Sequence, residues 1–222
     1  MTDDLDHYTN TYQIYSKDTK KCQELLGSPE IIHWKQHLQI QSTQSNLDEV
    51  IESLVAIKAC KVKKTQCSIY VVSEATKKLV LSALDAKKSN HEMFKLSSLD
   101  VTHAALVNKF WHFSGNERSQ RFVERCIGTF PTTCLLGPEG TPVSWGLMDF
   151  TGEMRMAFTL PEYWVQGLMS HVIYAHIKAL DSLGFPLYAH VDRANHIMQR
   201  LVSLLHTARL PYDWNQWHCV PL

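Results

Sequence analysis

The sequence predicts an α+β protein, because runs of strands and runs of helices occupy different stretches of the chain. Three successive runs of residues lie at 133–136, 143–149 and 153–160. Each run is either mostly apolar or alternates between apolar and polar residues, and turns that contain glycine join them. This pattern is typical of an antiparallel meander. Residues with helical spacing precede and follow the meander, which places helices on either side of it in the sequence.

A shift in composition near residue 90 predicts two regions, 1–90 and 91–222. In the first region, Ser28 followed by proline and glutamate resembles the start of a capped helix over 28–40. Apolar positions at helical spacing predict a second helix over 46–57. Residues 67–72 are expected to form a short buried strand.

For the second region, the sequence predicts more helices and strands than for the first. A strand at 93–99 is followed by a helix that Asp100 caps and by a second helix that begins at Ser119. After the meander we expect a helix that begins beyond Gly167 and ends near Gly184. The chain is then expected to continue in three further elements: a strand at 186–192, an amphipathic helix at 194–205 and a final strand at 213–220.

The junction between the meander and the helix after it is the most informative stretch. Pro161 ends the strand, and Gly167 lies in the turn before the helix. The first N–H groups of a helix have no partner within it, and the helix dipole is positive at that end. The turn is therefore a candidate site for an anion such as a phosphate.

Composition excludes several classes of partner. The 222 residues carry 22 lysines and arginines against 22 aspartates and glutamates. This balance creates no field that favours nucleic acid, and no apolar run approaches the roughly 20 residues that span a bilayer. Residues 1–6 are acidic, unlike a signal or transit peptide. We therefore expect neither nucleic acid nor a membrane as a partner.

The six cysteines are far apart and include no C-x-x-C pair. This spacing favours a reducing compartment over a disulfide framework or a zinc site. Structural buried thiols are the simplest interpretation, and a nucleophilic cysteine beside a histidine is the alternative. The histidines show no spacing typical of metal ligands, so no metal is expected.

Several segments resemble one known family: 100–112, 116–122, 136–143, 160–163, 214–217 and 219–222. They are similar to the GNAT acyltransferases, and more closely to the mammalian glycine N-acyltransferases of the aralkyl acyl-CoA:amino acid N-acyltransferase family. The resemblance implies a GNAT fold, with a mixed, mostly antiparallel sheet flanked by helices. It also implies a GNAT-like N-terminal half that is shortened here, since family members usually carry a further N-terminal segment.

The activity implied by the resemblance is transfer of an acyl group, such as benzoyl, from coenzyme A to the amine of glycine. Glycine's amine is protonated at neutral pH, so a base must remove a proton. Glu153 matches the glutamate proposed as that base in the family; from its position alone it would be a solvated turn residue. Arg155 is expected to pair with Glu153 or attract the glycine carboxylate, or else to form a surface ion pair. Backbone N–H groups over 158–160 are candidates for an oxyanion hole.

Acyl-CoA would be a co-substrate, with no permanently bound cofactor. The resemblance assigns the diphosphate of coenzyme A to the turn before the helix: Leu160, Glu162, Tyr163, Trp164, Val165, Gln166, Gly167 and Leu168. Asn195 matches an asparagine that contacts pantetheine in GNAT proteins; capping of its helix is the alternative.

Two residues depart from the family pattern. Trp164 stands where an arginine is expected at the diphosphate, and Phe158 stands where the pattern has glycine beside the acyl group. They support a rival interpretation, a catalytically impaired acyl-CoA-binding relative or a truncated isoform. Family resemblance further implies a monomer located in mitochondria, where acylglycine formation serves detoxification.

Overall fold

The computed structural model of the protein describes residues 10–87 and 93–222, so the predicted boundary at residue 90 lies outside the described part. The α+β prediction is confirmed, because the helices accompany two separate sheets, one of which is antiparallel throughout. The described strands are β1 (Thr11–Gln13), β2 (Leu38–Ser42), β3 (Cys60–Val71), β4 (Lys95–Ser97), β5 (Thr132–Leu136), β6 (Pro142–Met148), β7 (Met154–Thr159), β8 (Tyr188–Asp192) and β9 (Ala208–Pro221). The described α-helices are α1 (Thr19–Gly27), α2 (Asp48–Ile57), α3 (Glu74–Lys87), α4 (Ala104–Phe110), α5 (Glu117–Thr129), α6 (Leu168–Ser182) and α7 (His196–Leu204).

Contacts divide the chain into two compact units. The first comprises the chain through Ile69, together with Val191–Ala194 and Leu210–Leu222. Its strands belong to a five-stranded sheet with the order β1-β2-β9-β3-β8. β1 pairs with β2 in parallel, and β2 pairs with β9 antiparallel. Apolar side chains from α1, α2, β2 and the end of β9 form one buried cluster in this unit.

The second unit comprises Tyr70–His190 and Asn195–Arg209. Its four-stranded sheet has the order β4-β5-β6-β7, and each neighbouring pair is antiparallel. The predicted meander is therefore confirmed as β5, β6 and β7. Helix α6 buries one apolar face against this sheet, with Leu168 and Val172 beside Leu135 and Val143.

The predicted helix over 28–40 is wrong. Ser28 ends α1 instead of starting a helix, because its N–H binds the Leu25 carbonyl. Asp18 caps the start of α1 by accepting hydrogen bonds from two backbone N–H groups. Serine and proline also follow the ends of helices, so the pattern at Ser28 marks the end of α1 and not the start of a new helix.

Residues at the end of that segment form β2 because their apolar side chains alternate. Leu38 and Ile40 enter the buried cluster, and Gln39 and Gln41 alternate with them along the strand. A period of two residues specifies a strand, and pairing with both β1 and β9 satisfies its backbone.

The predicted start of α5 at Ser119 is also wrong. The helix begins at Glu117, and Asn116 is its cap. Asn116 accepts a bond from the Ser119 N–H, and the Ser119 hydroxyl accepts one from the Asn116 N–H. Ser119 is therefore the second half of a capping box rather than the cap. Asp100 does cap the turn before α4, as predicted.

A buried histidine makes the stability of the second unit dependent on pH. His176 on α6 is fully buried, and its Nδ1 lies 2.9 Å from the Thr133 hydroxyl. Burial lowers the pKa of His176 from 6.5 to about 4. Between pH 6.5 and pH 4, His176 is protonated in the unfolded chain but stays neutral in the folded chain. The free energy of unfolding therefore decreases as the pH falls from 6.5 towards 4.

We predict that His176→Leu removes this dependence. The wild type should lose about 3 kcal/mol more unfolding free energy than the variant between neutral pH and pH 4. Urea denaturation of both proteins across this pH range measures the difference. A difference in stability that stays constant with pH would contradict the prediction.

Candidate active site

The turn that is predicted to bind an anion lies between β7 and α6. A 3₁₀ turn over Pro161–Tyr163 follows the strand, and Gly167 adopts a left-handed φ of 73° before the helix begins. The first bond of the helix runs from the His171 N–H to the Gly167 carbonyl, at 3.3 Å. The N–H groups of the three residues before His171 precede that ladder, which gives the positive helix end that an anion prefers.

Val165 gives this turn a strained conformation. Its φ is 65°, in the left-handed region that β-branched residues avoid, and its side chain is fully exposed. Strain of this kind costs on the order of 1–3 kcal/mol and is found most often at ligand clamps. The shape of the turn is therefore not the one that local preferences alone would select.

The residues assigned to coenzyme A fall into two groups. Glu162, Trp164, Val165, Gln166 and Gly167 are exposed along the turn. The other three, Leu160, Tyr163 and Leu168, pack into the apolar cluster beneath α6. The first group lies on the surface that a ligand would meet, and the second holds the turn against the sheet.

Trp164 folds back on the strand that precedes it. Its indole N–H donates a 2.6 Å hydrogen bond to the Thr159 carbonyl, while about half of the side chain remains exposed. A neutral donor therefore stands where the family pattern has a cation, and that donor is directed at the protein backbone.

Strand β7 is the edge of its sheet within the described part of the chain, and it contains a bulge. Trp145 pairs with Phe158 and Leu147 with Arg155, so two residues of β7 lie opposite Gly146. Met156, one of these two, has a left-handed φ of 53°. Bulges of this type bend a strand and are common beside active sites.

The predicted oxyanion donors over 158–160 are corrected by the pairing. The Leu160 N–H donates to the Val143 carbonyl at 2.9 Å and is used within the sheet. Because successive backbone groups of a strand alternate between its two edges, the Thr159 N–H and carbonyl lie on the edge away from β6. The Trp164 contact to the Thr159 carbonyl agrees with this direction.

Glu153 is buried immediately before β7, with 4% of its surface exposed, so it is not a solvated turn residue. Its Oε1 accepts the His190 backbone N–H at 3.0 Å, and its Oε2 lies 2.7 Å from His190 Nδ1. Burial raises the pKa of Glu153, but the charges of His190 and Arg155 and the two hydrogen bonds from His190 outweigh it and lower the pKa overall. The carboxylate is therefore ionised at neutral pH.

Arg155 binds a different carboxylate from the one expected. Its Nη1 donates to Asp149 Oδ2 at 2.8 Å, and Asp149 is fully buried. Asp149 also accepts bonds from the Thr151 N–H and hydroxyl, which shapes the turn before β7. The expected ion pair with Glu153 is thus replaced by one with Asp149, and Arg155 influences Glu153 through its charge.

Phe158 lies in an aromatic cluster on β6, β7 and α4. Its ring stacks on Phe110 with centroids 4.8 Å apart, and it lies 5.8 Å from the ring of Trp145. Trp145 is fully buried, as expected of a core residue. A side chain as large as phenylalanine therefore fills the space beside the strand where the family pattern has glycine.

Asn195 caps α7, since its Oδ1 accepts the Met198 N–H at 3.0 Å. The capping alternative is confirmed, and contact with pantetheine stays a prediction. His190, by contrast, was missed by sequence reasoning. The signal was a titratable side chain within the strand predicted over 186–192, where most neighbours are apolar.

Five of the six cysteines are buried: Cys22, Cys60, Cys126, Cys134 and Cys219. Burial raises the pKa of the Cys126 and Cys219 thiols to about 12. Thiols of this kind are structural rather than nucleophilic. In the described ranges, no cluster of three or more His, Cys, Asp or Glu side chains could hold a metal, and no helix is long and apolar enough to cross a bilayer.

Comparison with known proteins adds a family match to this geometry. Residues 1–131 match the family model described as aralkyl acyl-CoA:amino acid N-acyltransferase, and residues 133–221 match the model of its C-terminal region. Glycine N-acyltransferase of Homo sapiens is 63% identical over 232 residues, covering 100% of this chain and 78% of that protein. Glycine N-phenylacetyltransferase of Bos taurus is 60% identical over 232 residues, covering 100% and 79%.

Solved structures show the same fold at low sequence identity. A Drosophila protein solved by X-ray crystallography gives a TM-score of 0.79 at 15% identity, covering 95% of this chain and 71% of that chain. A putative GNAT-family acetyltransferase from Novosphingobium aromaticivorans gives 0.52 at 11% identity, covering 82% and 74%. These similarities concern the fold alone.

Proposed function

Since the chain belongs to the aralkyl acyl-CoA:amino acid N-acyltransferase family, we propose that it transfers an acyl group from coenzyme A to the amine of glycine. The observation that carries the proposal is the arrangement of β7. A buried carboxylate, Glu153, precedes the strand, and the anion turn to α6 follows it. Base and diphosphate site would thus be held by one strand.

The reaction is a direct attack without an acyl-enzyme. The ammonium group of glycine first loses a proton to a general base centred on Glu153. The free amine then bonds to the thioester carbonyl carbon, and the carbon–sulfur bond breaks as the tetrahedral intermediate collapses. The nitrogen loses a second proton, and the departing thiolate takes up one.

The free edge of β7 supports binding of the pantetheine arm. An edge strand offers unpaired N–H and carbonyl groups to an extended chain that contains amides. The Thr159 N–H lies on that edge and is the candidate donor to the thioester oxygen as it becomes negative. The diphosphate would bind at the N-terminus of α6 through backbone N–H groups.

We predict that the protein releases free thiol from benzoyl-CoA in a glycine-dependent manner, because the buried carboxylate of Glu153 and the turn before α6 lie at the two ends of β7. Thiol release and calorimetric binding of coenzyme A measure the two properties separately. Binding without glycine-dependent turnover would contradict the enzyme and favour the impaired acyl-CoA-binding relative. If the protein neither binds coenzyme A nor releases thiol, both the enzyme and the acyl-CoA-binding relative are contradicted.

Trp164 and Phe158 are the specific observations in favour of that second candidate function. Trp164 supplies no positive charge to the diphosphate, and Phe158 fills space beside Phe110 and Trp145. Loss of one charge-assisted contact corresponds to about 1–3 kcal/mol, or roughly one to two decades in affinity.

We predict that Trp164→Arg combined with Phe158→Gly raises both affinity and turnover. Coenzyme A should bind about ten- to a hundredfold more tightly, because a cation is added at the diphosphate. Turnover of benzoyl-CoA should rise more than that of acetyl-CoA, because the space vacated by the phenyl ring lies among aromatic side chains. Steady-state kinetics with both acyl donors and calorimetry test this prediction.

Two single variants serve as controls for the pair. Trp164→Phe removes the indole N–H without adding charge, and it should not tighten binding of coenzyme A. Phe158→Leu keeps a large side chain, and it should not open the acyl site. If the two control variants gain as much affinity and turnover as the paired variant, these gains do not arise from the added charge and the vacated volume, and the prediction is contradicted.

We also propose that the protein acts as a monomer in mitochondria and contributes to detoxification by forming acylglycines. The six free cysteines suit a reducing compartment. Fractionation of cells that express the full-length natural protein is expected to place it in the mitochondrial fraction. Recovery in the cytosolic fraction would contradict this location.

A further inference from the structure

The two side chains Glu153 and His190 form a buried pair, here called the carboxylate–imidazole pair. The side chains of His190 and Glu153 are 9% and 5% exposed, and two hydrogen bonds connect them. One comes from the His190 backbone N–H and one involves its Nδ1. Both carboxylate oxygens of Glu153 therefore have a partner on the same residue.

The partners determine which ring nitrogen carries the proton. An ionised carboxylate only accepts hydrogen bonds, so His190 Nδ1 must be the donor at 2.7 Å. In the neutral imidazole the other nitrogen, Nε2, then holds the lone pair. A carboxylate that fixes a histidine tautomer in this way orients the ring and stabilises the imidazolium once it forms.

Glu153 is poorly suited to take a proton from glycine itself. Each of its oxygens already accepts a hydrogen bond from His190, its side chain is only 5% exposed, and the lowered pKa makes the carboxylate a weak base. Histidine is the side chain that most often serves as a general base in enzymes.

The pair lies where β8 is hydrogen-bonded to the segment just before β7. The Tyr188 hydroxyl donates to the Thr151 carbonyl at 2.8 Å, and two residues further on His190 binds Glu153. The two segments therefore advance in the same direction here. β7 begins directly after Glu153 and continues to the bulge, the Thr159 edge and the anion turn, so the pair lies at the start of the strand that carries the proposed thioester site.

We propose that His190 Nε2 is the atom that accepts the proton from the glycine ammonium group and that Glu153 is the residue that positions it. This inference rests on the proposed acyl transfer and refines its base. The first proton moves from the ammonium nitrogen to Nε2, and the amine attacks the thioester carbon. The carbon–sulfur bond then breaks, the nitrogen loses its second proton to solvent, and the imidazolium paired with Glu153 gives its proton to the departing thiolate. Charges near the pair include those of Arg155 and Asp149, and the Tyr188 ring lies 5.4 Å from the imidazole.

The test compares His190→Asn with Glu153→Gln. Asparagine keeps a donor towards Glu153 but has no titratable nitrogen. We expect kcat/KM for glycine to fall on the order of 10²- to 10³-fold in each variant. The double variant should be little worse than either single variant, because the two residues act as one unit. Affinity for coenzyme A should stay unchanged.

The pH profile separates a base from a merely structural residue. The wild type should show an inflection in kcat/KM, and His190→Asn should lack it and continue to gain rate as glycine itself loses its proton. Hydroxylamine is already largely neutral at neutral pH, so its acylation should depend much less on His190. His33→Asn changes an exposed histidine of the first unit and should behave as the wild type.

A measurement on the unmutated protein does not depend on how the variants fold. Nitrogen NMR of the sequence-assigned His190 ring should show a protonated Nδ1 and an unprotonated Nε2 at neutral pH. The opposite tautomer would overturn the proposal. So would a His190→Asn variant that keeps the rate and the inflection while Glu153→Gln loses them. If the wild type shows no glycine-dependent thiol release, the acyl transfer itself fails, which is a separate outcome.

Discussion

The bulge in β7 is the constraint on which the site depends. Two residues opposite Gly146 shift the register of the strand, and Met156 takes a left-handed conformation at the shift. β7 is hydrogen-bonded to β6 on one side and presents Thr159 on the other. A straight strand would place the Thr159 edge and the turn to α6 differently relative to Glu153. The bulge thus sets the position of Glu153 relative to the turn before α6.

Buried charge on both sides of the turn into β7 is stabilised by fixed partners. Asp149 is held by Arg155 and by the Thr151 N–H and hydroxyl, and Glu153 is held by His190. Each carboxylate would be costly to bury alone, because an uncompensated charge in a protein interior destabilises by several kcal/mol. The pairs therefore explain why two acidic residues four positions apart are both inaccessible. Because Arg155 pairs with Asp149 and not with Glu153, the partner of Glu153 is His190, and Glu153 acts through it.

Much of this fold follows from local sequence signals, and the site follows from them in part. The meander and the turn through Gly167 could be predicted because alternation, proline and glycine act within a few residues. The errors at Ser28 and Ser119 arose where one residue type serves two roles, since serine occurs both after helices and inside capping boxes. Burial of Glu153 and its contact with His190 could not be predicted, because 37 residues separate the two in sequence. Only pairing through the fold brings them together.

Trp164 and Phe158 fit the fold although they depart from the family pattern. The indole N–H of Trp164 bonds the outward carbonyl of Thr159, so one polar group of the free strand edge is satisfied without a ligand. Phe158 fills space beside Phe110 and Trp145, where a glycine would leave a gap. Under the proposed function, both residues make contacts within the protein at positions where the acyl donor would bind. Binding of the acyl donor then has to displace or rearrange contacts that the protein makes with itself, and the cost of those contacts is subtracted from its affinity.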